Sequence, residues 1–434
     1  MGIATVAVYS EADAGAPHVV QADESVCIGA PPVIESYLQI DRIVTAARER
    51  GVDAIHPGYG LLSENPAFAR VVRDAGIAFV GPPPEVLEAL GDKLRARAVA
   101  RAAGVEPPPG SQDAIVTSDE SAVQAAVADI GYPLLVKAAA GGGGIGMQVV
   151  HNDRQLARAL KSCADRGRSA FGDERIYLER YVESPKHIEV QILGDAEHHV
   201  IAIGERECSM QRRHQKIIEE APSAAPFLTD DKRRALHEAA VAVASRAGYV
   251  NAGTVEFVAA ADGAFFFLEV NARLQVEHCV TEMCTGIDLV EQQLRVAAGQ
   301  SIAKKAPSLE GHAIEARIYA EDPDKRFAPQ PGRLDRLRWP NAKAWLRIET
   351  GVVEGMEVTP YYDPLIAKVV AHGETRAQAI ERLDEALGES EIELTGPNGR
   401  ANTNLSFCRR LITSERFRDG SYDTHYAEAL AKAK

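Results

Sequence analysis

No run of this 434-residue chain reaches the ~18 consecutive apolar positions that a membrane-spanning helix requires, so none is expected. The first apolar run, Ile3–Tyr9, has no basic segment ahead of it, and no secretory leader is expected. Met1-Gly2 opens like an N-myristoylation site, but Val6 breaks that pattern. Positive charge is scarce: 48 Lys and Arg face 62 Asp and Glu, a net charge of −14. Such a chain has no long-range field to hold a polyanion, which argues against binding nucleic acid or an anionic membrane. A phosphate ligand has to be held by locally placed cations and backbone N–H groups. The six cysteines, Cys27, Cys163, Cys208, Cys279, Cys284 and Cys408, include no Cys-x-x-Cys pair. The five-residue step from Cys279 to Cys284 is no recognised zinc spacing. They read as free thiols of a reducing, cytoplasmic compartment. No internal repeat and no low-complexity tract is found.

What is present is ordinary globular material, with 46% apolar and 25% charged residues. At ~150 residues per domain the length predicts two to four domains. Residues 1–84 alternate short apolar strands (Thr5–Tyr9, Asp53–His56, Ile77–Val80) with helices (Ser36–Arg50, Pro66–Ala75) that end at Gly51 and Gly76. That alternation predicts a parallel α/β layer. After Gly81-Pro82-Pro83-Pro84, one helix is expected over Glu85–Ala103, and Pro107-Pro108-Pro109-Gly110 marks a second break. Residues 111–182 read as a small mixed α/β insert. Strands over 187–193 and 198–204, a helix over 230–247 and a hairpin over 253–270 fill out a middle unit, 85–300. Thr229 caps that helix, with Asp230 and Asp231 in its first turn. A last unit, 311–418, holds short strands and one helix near 375–387.

The hairpin carries the sharpest chemistry. Two apolar strands, Gly253–Val258 and Phe265–Asn271, flank Asp262-Gly263, a strong two-residue turn signal. Counting outward from that turn sets Glu256 opposite Glu269. Like charges directly opposite destabilise a sheet, so a cation is expected between them. Asn271, two residues further on, shares the face of Glu269. Two carboxylates and an amide oxygen are hard ligands, suited to Mg²⁺ or Mn²⁺ that also binds substrate phosphates. Glu269, Asn271, Arg273, Gln275 and Glu277 fall at every second position, while apolar residues fill the alternate set. A solvated surface strand shows the same alternation, but the run Phe265-Phe266-Phe267 argues for burial. The pairing depends on register, because a one-residue bulge breaks it.

Leu134–Lys137 reads as a buried strand, followed by Gly141-Gly142-Gly143-Gly144-Ile145-Gly146-Met147. Successive glycines are entropically costly, and they serve where backbone N–H groups must close on an anion. No Gly-Lys-Ser/Thr follows, so this is not a Walker loop. A strand comes next, so it is not a dinucleotide fingerprint either. Lys137 stands beside the loop as a point charge for a phosphate; a plain hairpin tip is the alternative. The knot Glu207-Cys-Ser-Met-Gln211-Arg212-Arg213-His214-Gln215-Lys216, flanked by Glu219-Glu220, stands out in an acidic chain. A solvated ion-pair loop would have the same composition. Lys93, in Gly91-Asp92-Lys93, is a weak signal alone.

Taken together, these segments resemble the biotin carboxylase component of biotin-dependent carboxylases, such as acetyl-CoA or propionyl-CoA carboxylase, within the ATP-grasp superfamily. The matching strings are His56-Pro-Gly-Tyr59-Gly-Leu-Leu-Ser-Glu-Asn65, Gly91-Asp-Lys93, Lys137-Ala-Ala-Ala-Gly-Gly-Gly-Gly144, Glu179-Arg-Tyr-Val182 and His187-Ile-Glu-Val-Gln191. They continue with Arg206-Glu-Cys-Ser-Met-Gln-Arg-Arg-His-Gln-Lys216, Phe267-Leu-Glu-Val-Asn-Ala-Arg-Leu-Gln-Val-Glu-His278 and Tyr361-Tyr-Asp363. The likeness runs from about Ala4 to His425.

The resemblance implies a fold of α/β and α+β parts. A Rossmann-like N-terminal domain precedes an ATP-grasp domain whose insert, 111–182, is a mobile lid, and a mixed α/β C-terminal domain follows. It implies that Lys93 and Lys137 bind ATP phosphates, with Gly142, Gly143, Gly144 and Met147 in the closing loop. Glu179, Arg180 and Val182 would line the adenine pocket, largely through backbone groups, and His187, Gln211 and His214 would lie near ribose and phosphates. Glu256, Glu269 and Asn271 would carry Mg²⁺ or Mn²⁺, in agreement with the hairpin. Lys216, Arg273, Gln275, Val276 and Glu277 would surround bicarbonate, with Glu277 as its base. Arg347, in Leu346-Arg-Ile-Glu-Thr350, would face carboxyphosphate and the biotin ureido oxygen, and Tyr59 would be a neighbour of biotin.

Such relatives begin with a further strand and helix carrying an Asn-Arg-Gly-Glu-Ile-Ala-type string. This chain opens at the following strand, so a shortened first domain is expected. Some family dimer contacts lie in that piece, which leaves a homodimer open. Ile145 stands where many relatives carry Arg. None of Met1, Met147, Met210, Met283 and Met356 is followed by Lys, so a biotin carboxyl carrier protein and a carboxyltransferase are expected in trans, the alternative being a longer natural protein. Two other readings are a non-catalytic structural or regulatory relative and an ATP-grasp ligase joining a carboxylate to an amine. The full set of matched polar residues argues against the first. The Arg-Arg-His-Gln-Lys string and the Tyr361-Tyr362-Asp363 unit argue against the second.

Overall fold

Eight strands, six of them buried over most of their length, form one antiparallel sheet. In spatial order they are Phe265–Asn271, Asn251–Ala259, Lys186–Gly194, Val200–Arg212, Gln215–Ala221, His312–Tyr319, Leu365–Gly373 and Leu346–Thr350. This is a computed structural model, and it describes residues 1–140 and 146–433. The first five strands belong to the middle unit and the last three to the C-terminal one, so the sheet runs on past residue 311. Helix Asp230–Ala247 covers the middle strands through a core that includes Val190, Val243, Val255 and Phe257. Helices Arg376–Glu389 and Leu405–Thr413 cover the C-terminal strands through Ile318, Val369, Leu383 and Phe407. Full burial of such a side chain contributes about 1.5–3 kcal/mol. Helix Asp230–Ala247 has the expected boundaries. Thr229 accepts from the N–H of Lys232, and Gly248 ends the helix at φ +65°.

Glu256 does face Glu269 across the hairpin, but two departures cancel to put it there. The loop is one residue longer than a two-residue turn: Ala260 bonds Ala264, and Gly263 sits at φ +82°. That geometry fits a three-residue loop closed by a left-handed glycine. A register shift between Glu256 and Phe257 then leaves Leu268 as an extra residue, and this restores Glu256↔Glu269 and Thr254↔Asn271.

The single helix expected over 85–103 is two, Pro84–Gly91 and Lys93–Ala102. Asp92 sits between them in an extended conformation, and its carboxylate accepts from the N–H of Arg95. This break places Lys93 in a first turn, where its N–H bonds the carbonyl of Ala139. The insert has its own three-stranded antiparallel sheet, Met147–Val150, Leu134–Ala138 and Ile176–Arg180, and its own core with helices Glu120–Ile130 and Asp153–Phe171. In the N-terminal region, Ala54–Ile55 pairs in parallel with Ala78–Phe79, as the alternation predicts. Val6–Ser10 instead pairs with Glu24–Gly29, so the expected single layer is two separate two-stranded pieces. Glu24–Gly29 opens on Glu and Ser and ends on Gly, which hid it from a reading by apolar runs.

Glu220 ties the sheet to the C-terminal helices. Its carboxylate accepts from Arg376 at 2.6 and 2.9 Å and from Tyr422 at 2.5 Å, and meets His312 at 2.6 Å. Burial opposes its charge, yet His312 and Arg376 hold its carboxyl down at about 2, from an ordinary 4.5. A depressed carboxyl stabilises the fold above its unfolded pKa, and that support fades as pH falls through the folded value. Glu220→Gln should therefore cost up to about 3 kcal/mol at neutral pH. Urea midpoints measured across pH should show the gap from wild type closing toward pH 2, and a gap that stays constant contradicts the linkage.

Candidate active site

Between the insert and the polar centre of the sheet lies a cleft of about 560 Å³. Its wall holds Lys93, Lys137, Met147, Glu179, Arg180 and Val182 on the insert side. His187, Gln211, His214, Lys216, Glu256, Glu269, Asn271, Arg273, Gln275, Val276 and Glu277 complete it. Seventeen residues singled out from sequence thus meet in one place. Gly142, Gly143 and Gly144 lie outside the described residues.

At the insert end, Lys137 donates to Glu179 at 2.9 Å, and Arg97 donates to the other oxygen of Glu179 at 2.8 Å. All three side chains are buried, with the Tyr177 ring beside both cations. The Glu179 side chain is therefore engaged by two cations, and its backbone pairs with Leu135 and Gly110. Arg180 donates to the carbonyl of Ile130 and braces the insert. The basic knot is not a solvated loop. It is a hairpin of Val200–Arg212 and Gln215–Ala221 turned through Arg213 and His214, both at positive φ, in the manner of a type I′ turn. Burial, then the Lys137 charge, pushes the His214 imidazole below its ordinary 6.5 and keeps it neutral at pH 7.

Two cations organise the carboxylates at the other end of the cleft. Lys216 donates to Glu189 at 2.6 Å, to Glu256 at 3.0 Å and to Glu277 at 2.6 Å. Burial opposes its charge, but Cys208 and the three carboxylates outweigh it and raise the ammonium well above its usual value. Arg206 is fully buried and donates to Glu189, Gln191, Thr254, Gln275 and Thr281. Gln275 in turn donates to Glu256 at 2.9 Å. Burial also works against the charge on Glu277, yet Lys216, Arg317 and Arg206 hold its carboxyl well below the normal range. Lys216 and His187 do the same for Glu256.

The strand that carries Glu269 and Asn271 stops at Asn271, so Arg273, Gln275 and Glu277 sit on an irregular segment rather than on a continued strand. Glu64 pins that segment. It accepts from the N–H of Ala272 at 2.8 Å and from Arg273 at 3.2 Å. The polar face expected from strand alternation is real, but loop contacts hold its second half.

The expected ligands for a divalent ion are all-oxygen in character. Glu256 and Glu269 face each other, and Asn271 lies between Glu256 (2.8 Å from its Nδ2) and Arg273 (3.0 Å from its Oδ1). Lys93 approaches Glu269 at 3.6 Å and supplies the cation that a like-charged pair demands. Hard donors in a cleft that also holds Lys93 and Lys137 fit Mg²⁺ or Mn²⁺. His278, Cys279 and Glu282 also cluster. That set offers a thiol and an imidazole rather than hard oxygens, with Arg347 at 2.5 Å from Glu282 and Lys368 at 3.0 Å from Cys279.

Tyr59 and Arg347 are not in the wall of the cleft. The ring of Tyr59 lies 5.8 Å from Nζ of Lys368, which donates to the carbonyl of Val276 at 2.8 Å. Arg347 pairs with Glu282 and with Glu349 at 2.6 Å, one turn beyond Glu277 along helix His278–Thr285. Sequence reading passed over Glu189, Arg97, Arg317 and Lys368. Glu189 had a signal, because His187, Glu189 and Gln191 alternate with Ile188, Val190 and Ile192. Arg97, Arg317 and Lys368 had none.

Family models cover nearly the whole chain. A biotin carboxylase N-terminal domain matches residues 1–87, the ATP-binding domain of the carbamoyl-phosphate synthase L chain matches 92–305, and a biotin carboxylase C-terminal domain matches 315–429. The biotin carboxylase of Halalkalibacterium halodurans is 48% identical over 100% of this chain and 94% of its own. The propionyl-CoA carboxylase alpha chain of Ruegeria pomeroyi is 46% identical over 98% of this chain and 64% of its own. Among solved structures, the biotin carboxylase domain dimer of Hydrogenobacter thermophilus 2-oxoglutarate carboxylase, in complex with MgADP, ADP and bicarbonate, superposes with a TM-score of 0.93. It is 42% identical and covers 99% of this chain and 92% of that one. The Campylobacter jejuni biotin carboxylase in its β,γ-ATP complex gives 0.93 at 42% identity, over 99% and 94%. The chain belongs to the biotin carboxylases, ATP-dependent ligases that carboxylate biotin in the first half-reaction of biotin-dependent carboxylases.

Proposed function

We propose that this chain carboxylates biotin borne on a separate carrier protein, with Glu277 as the base for bicarbonate and the insert as a closing lid. The single observation that carries this is the Lys216 ammonium. It joins Glu277, at the end that would hold bicarbonate, to Glu256, at the end that would hold the nucleotide phosphates. Bicarbonate would lie against Arg273, Lys216, Gln275 and the backbone of Val276. As its oxygen forms a bond to the γ-phosphorus, Glu277 takes its proton, the bond to the bridging oxygen breaks, and ADP leaves with that electron pair. Lys93 and Lys137 offset charge on the transferring group, with Lys137 exchanging Glu179 for phosphate. A divalent ion held by Glu256, Glu269 and Asn271 would supply further charge neutralisation at the phosphates. Carboxyphosphate then releases CO₂ beside biotin, and phosphate takes the N1 proton. Arg347, freed in part from Glu282 and Glu349, stabilises the ureido enolate, with Tyr59 beside it. Closure of the 111–182 unit, with Gly142 to Gly144 and Met147, excludes water that would otherwise destroy carboxyphosphate.

ADP formation from ATP with bicarbonate and free biotin tests the reading. A folded, ATP-binding sample without bicarbonate dependence overturns it, and turnover with an amine acceptor in place of bicarbonate would show an amine ligase instead. Glu269→Gln should raise the Mg²⁺ needed for half-maximal rate about 10- to 100-fold. An unchanged Mg²⁺ curve removes Glu269 from the metal.

A further inference from the structure

A general base works best with a pKa near the operating pH, yet Lys216, Arg317 and Arg206 hold Glu277 far below it. Behind Arg317 lies a feature that the reaction as described does not use. Glu219 and Glu315 are directly paired on adjacent strands, and both are fully buried. Arg317 is shared between the site and this pair: its Nη2 is 2.9 Å from Glu277 and 2.5 Å from Glu219, and its Nε is 3.9 Å from Glu315. None of the four carboxylate oxygens of Glu219 and Glu315 has a partner with hydrogen-bond geometry among the described residues. Two opposed, fully buried carboxylates that share one guanidinium cannot both stay ionised cheaply.

We propose that Glu219 and Glu315 share a proton and act as positioning residues for Glu277, their charge setting how strongly Arg317 suppresses the basicity of that carboxylate. The inference rests on Glu277 being the base. When the pair is protonated, Arg317 acts on Glu277 in full. When the shared proton leaves, the added negative charge draws on Arg317, and Glu277 becomes a better acceptor.

The surroundings support a proton that moves near neutrality. Burial pushes Glu219 up to about 8 against the pull of Arg317, and the charges of Glu315 and Glu277 add to the rise. Burial raises Glu315 to about 7 against Lys368 and Arg317. The facing cations are Arg317 on the same strand as Glu315, Lys216 beside Glu219, Arg206 on the neighbouring strand and Lys368 on the strand beyond Glu315. The thiols are Cys208 on the neighbouring strand, Cys279 of helix His278–Thr285 and Cys408 of helix Leu405–Thr413, and the phenols are Tyr59 and Tyr319. Burial raises all five of these above their ordinary values. The carboxylate pair is therefore the part of the cluster that titrates between about 7 and 8.

The test is the pH profile of kcat for bicarbonate- and biotin-dependent ADP formation. Wild type should rise about five- to tenfold as pH passes through about 7 to 8. The E219Q/E315Q double variant, neutral at both positions, should lose that rise and keep its KM for ATP, while E219D keeps the rise. A folded double variant that retains the rise overturns the inference. If it does not fold, infrared spectra of the wild type decide. A protonated-carboxyl C=O band should be present at pH about 6 and lost by about 9, and E219Q or E315Q alone should change it. Absence of such a band overturns the inference. An E277Q enzyme with full activity would instead defeat the role of Glu277, a separate result.

Discussion

Glu277→Gln should lower kcat for bicarbonate-dependent ADP formation by about 10²- to 10⁴-fold, the usual weight of a positioned general base. The carboxylate touches Lys216 at 2.6 Å and Arg317 at 2.9 Å, with all three side chains largely buried. It is fully ionised at neutral pH, so it can only accept a proton. Gln keeps the shape and an accepting oxygen, but it cannot take the proton as bicarbonate attacks. The expected signature is a fall in kcat with little change in the KM for ATP, because the proposed nucleotide contacts, Lys93, Lys137 and the insert, do not touch Glu277. Removing one anion from beside two buried cations also costs stability, so thermal midpoint and ATP binding are measured on the same sample. A variant that binds ATP and stays within tenfold of wild type removes Glu277 from proton transfer. Glu277→Asp, which is shorter but still charged, should fall between the two.

The site residues were legible where chemistry is written along one strand. The Glu256–Glu269 opposition follows from two short strands and a turn, and Asn271 follows from alternation. Yet that opposition was reached through a turn one residue too short and a strand with no bulge, and the two departures offset each other. Register is a tertiary property: Leu268 is left over because Phe257 pairs with Phe267 while Glu256 pairs with Glu269. The helix break at Asp92 was hidden for a related reason. Asp is tolerated inside a helix pattern, and only the cap it gives to Arg95 shows that two helices meet there. Arg97, Arg317 and Lys368 were illegible because their partners lie far along the chain. Glu179 is 82 residues from Arg97, and Glu277 is 40 residues from Arg317. Family likeness named seventeen cleft residues that the structure brings together. It did not show that the sheet joins the middle and C-terminal units through Gln215–Ala221 and His312–Tyr319, the strands on which Glu219 and Glu315 meet.

Arg206 carries the largest expected effect on stability. It is a cation with no exposure at all, and its five N–H groups reach five acceptors at 2.6 to 3.0 Å. That exhausts the donors of a guanidinium, so no other side chain can replace it. Arg206→Ala leaves Glu189 with Lys216 as its remaining close cation, and strips a donor from Gln191, Thr254, Thr281 and Gln275 in a dry interior. Breaking a buried pair in this way costs about 3–5 kcal/mol. The site suffers as well, because Gln275 loses the donor that orients its amide toward Glu256. Arg206→Lys keeps the charge but offers three donors from a single nitrogen, so it should recover part of the stability while its KM for bicarbonate stays raised. Urea midpoints for the three proteins, read beside bicarbonate saturation curves, separate the two contributions. If Arg206→Ala costs less than about 1 kcal/mol, water has entered the cluster and the guanidinium is not its organising charge.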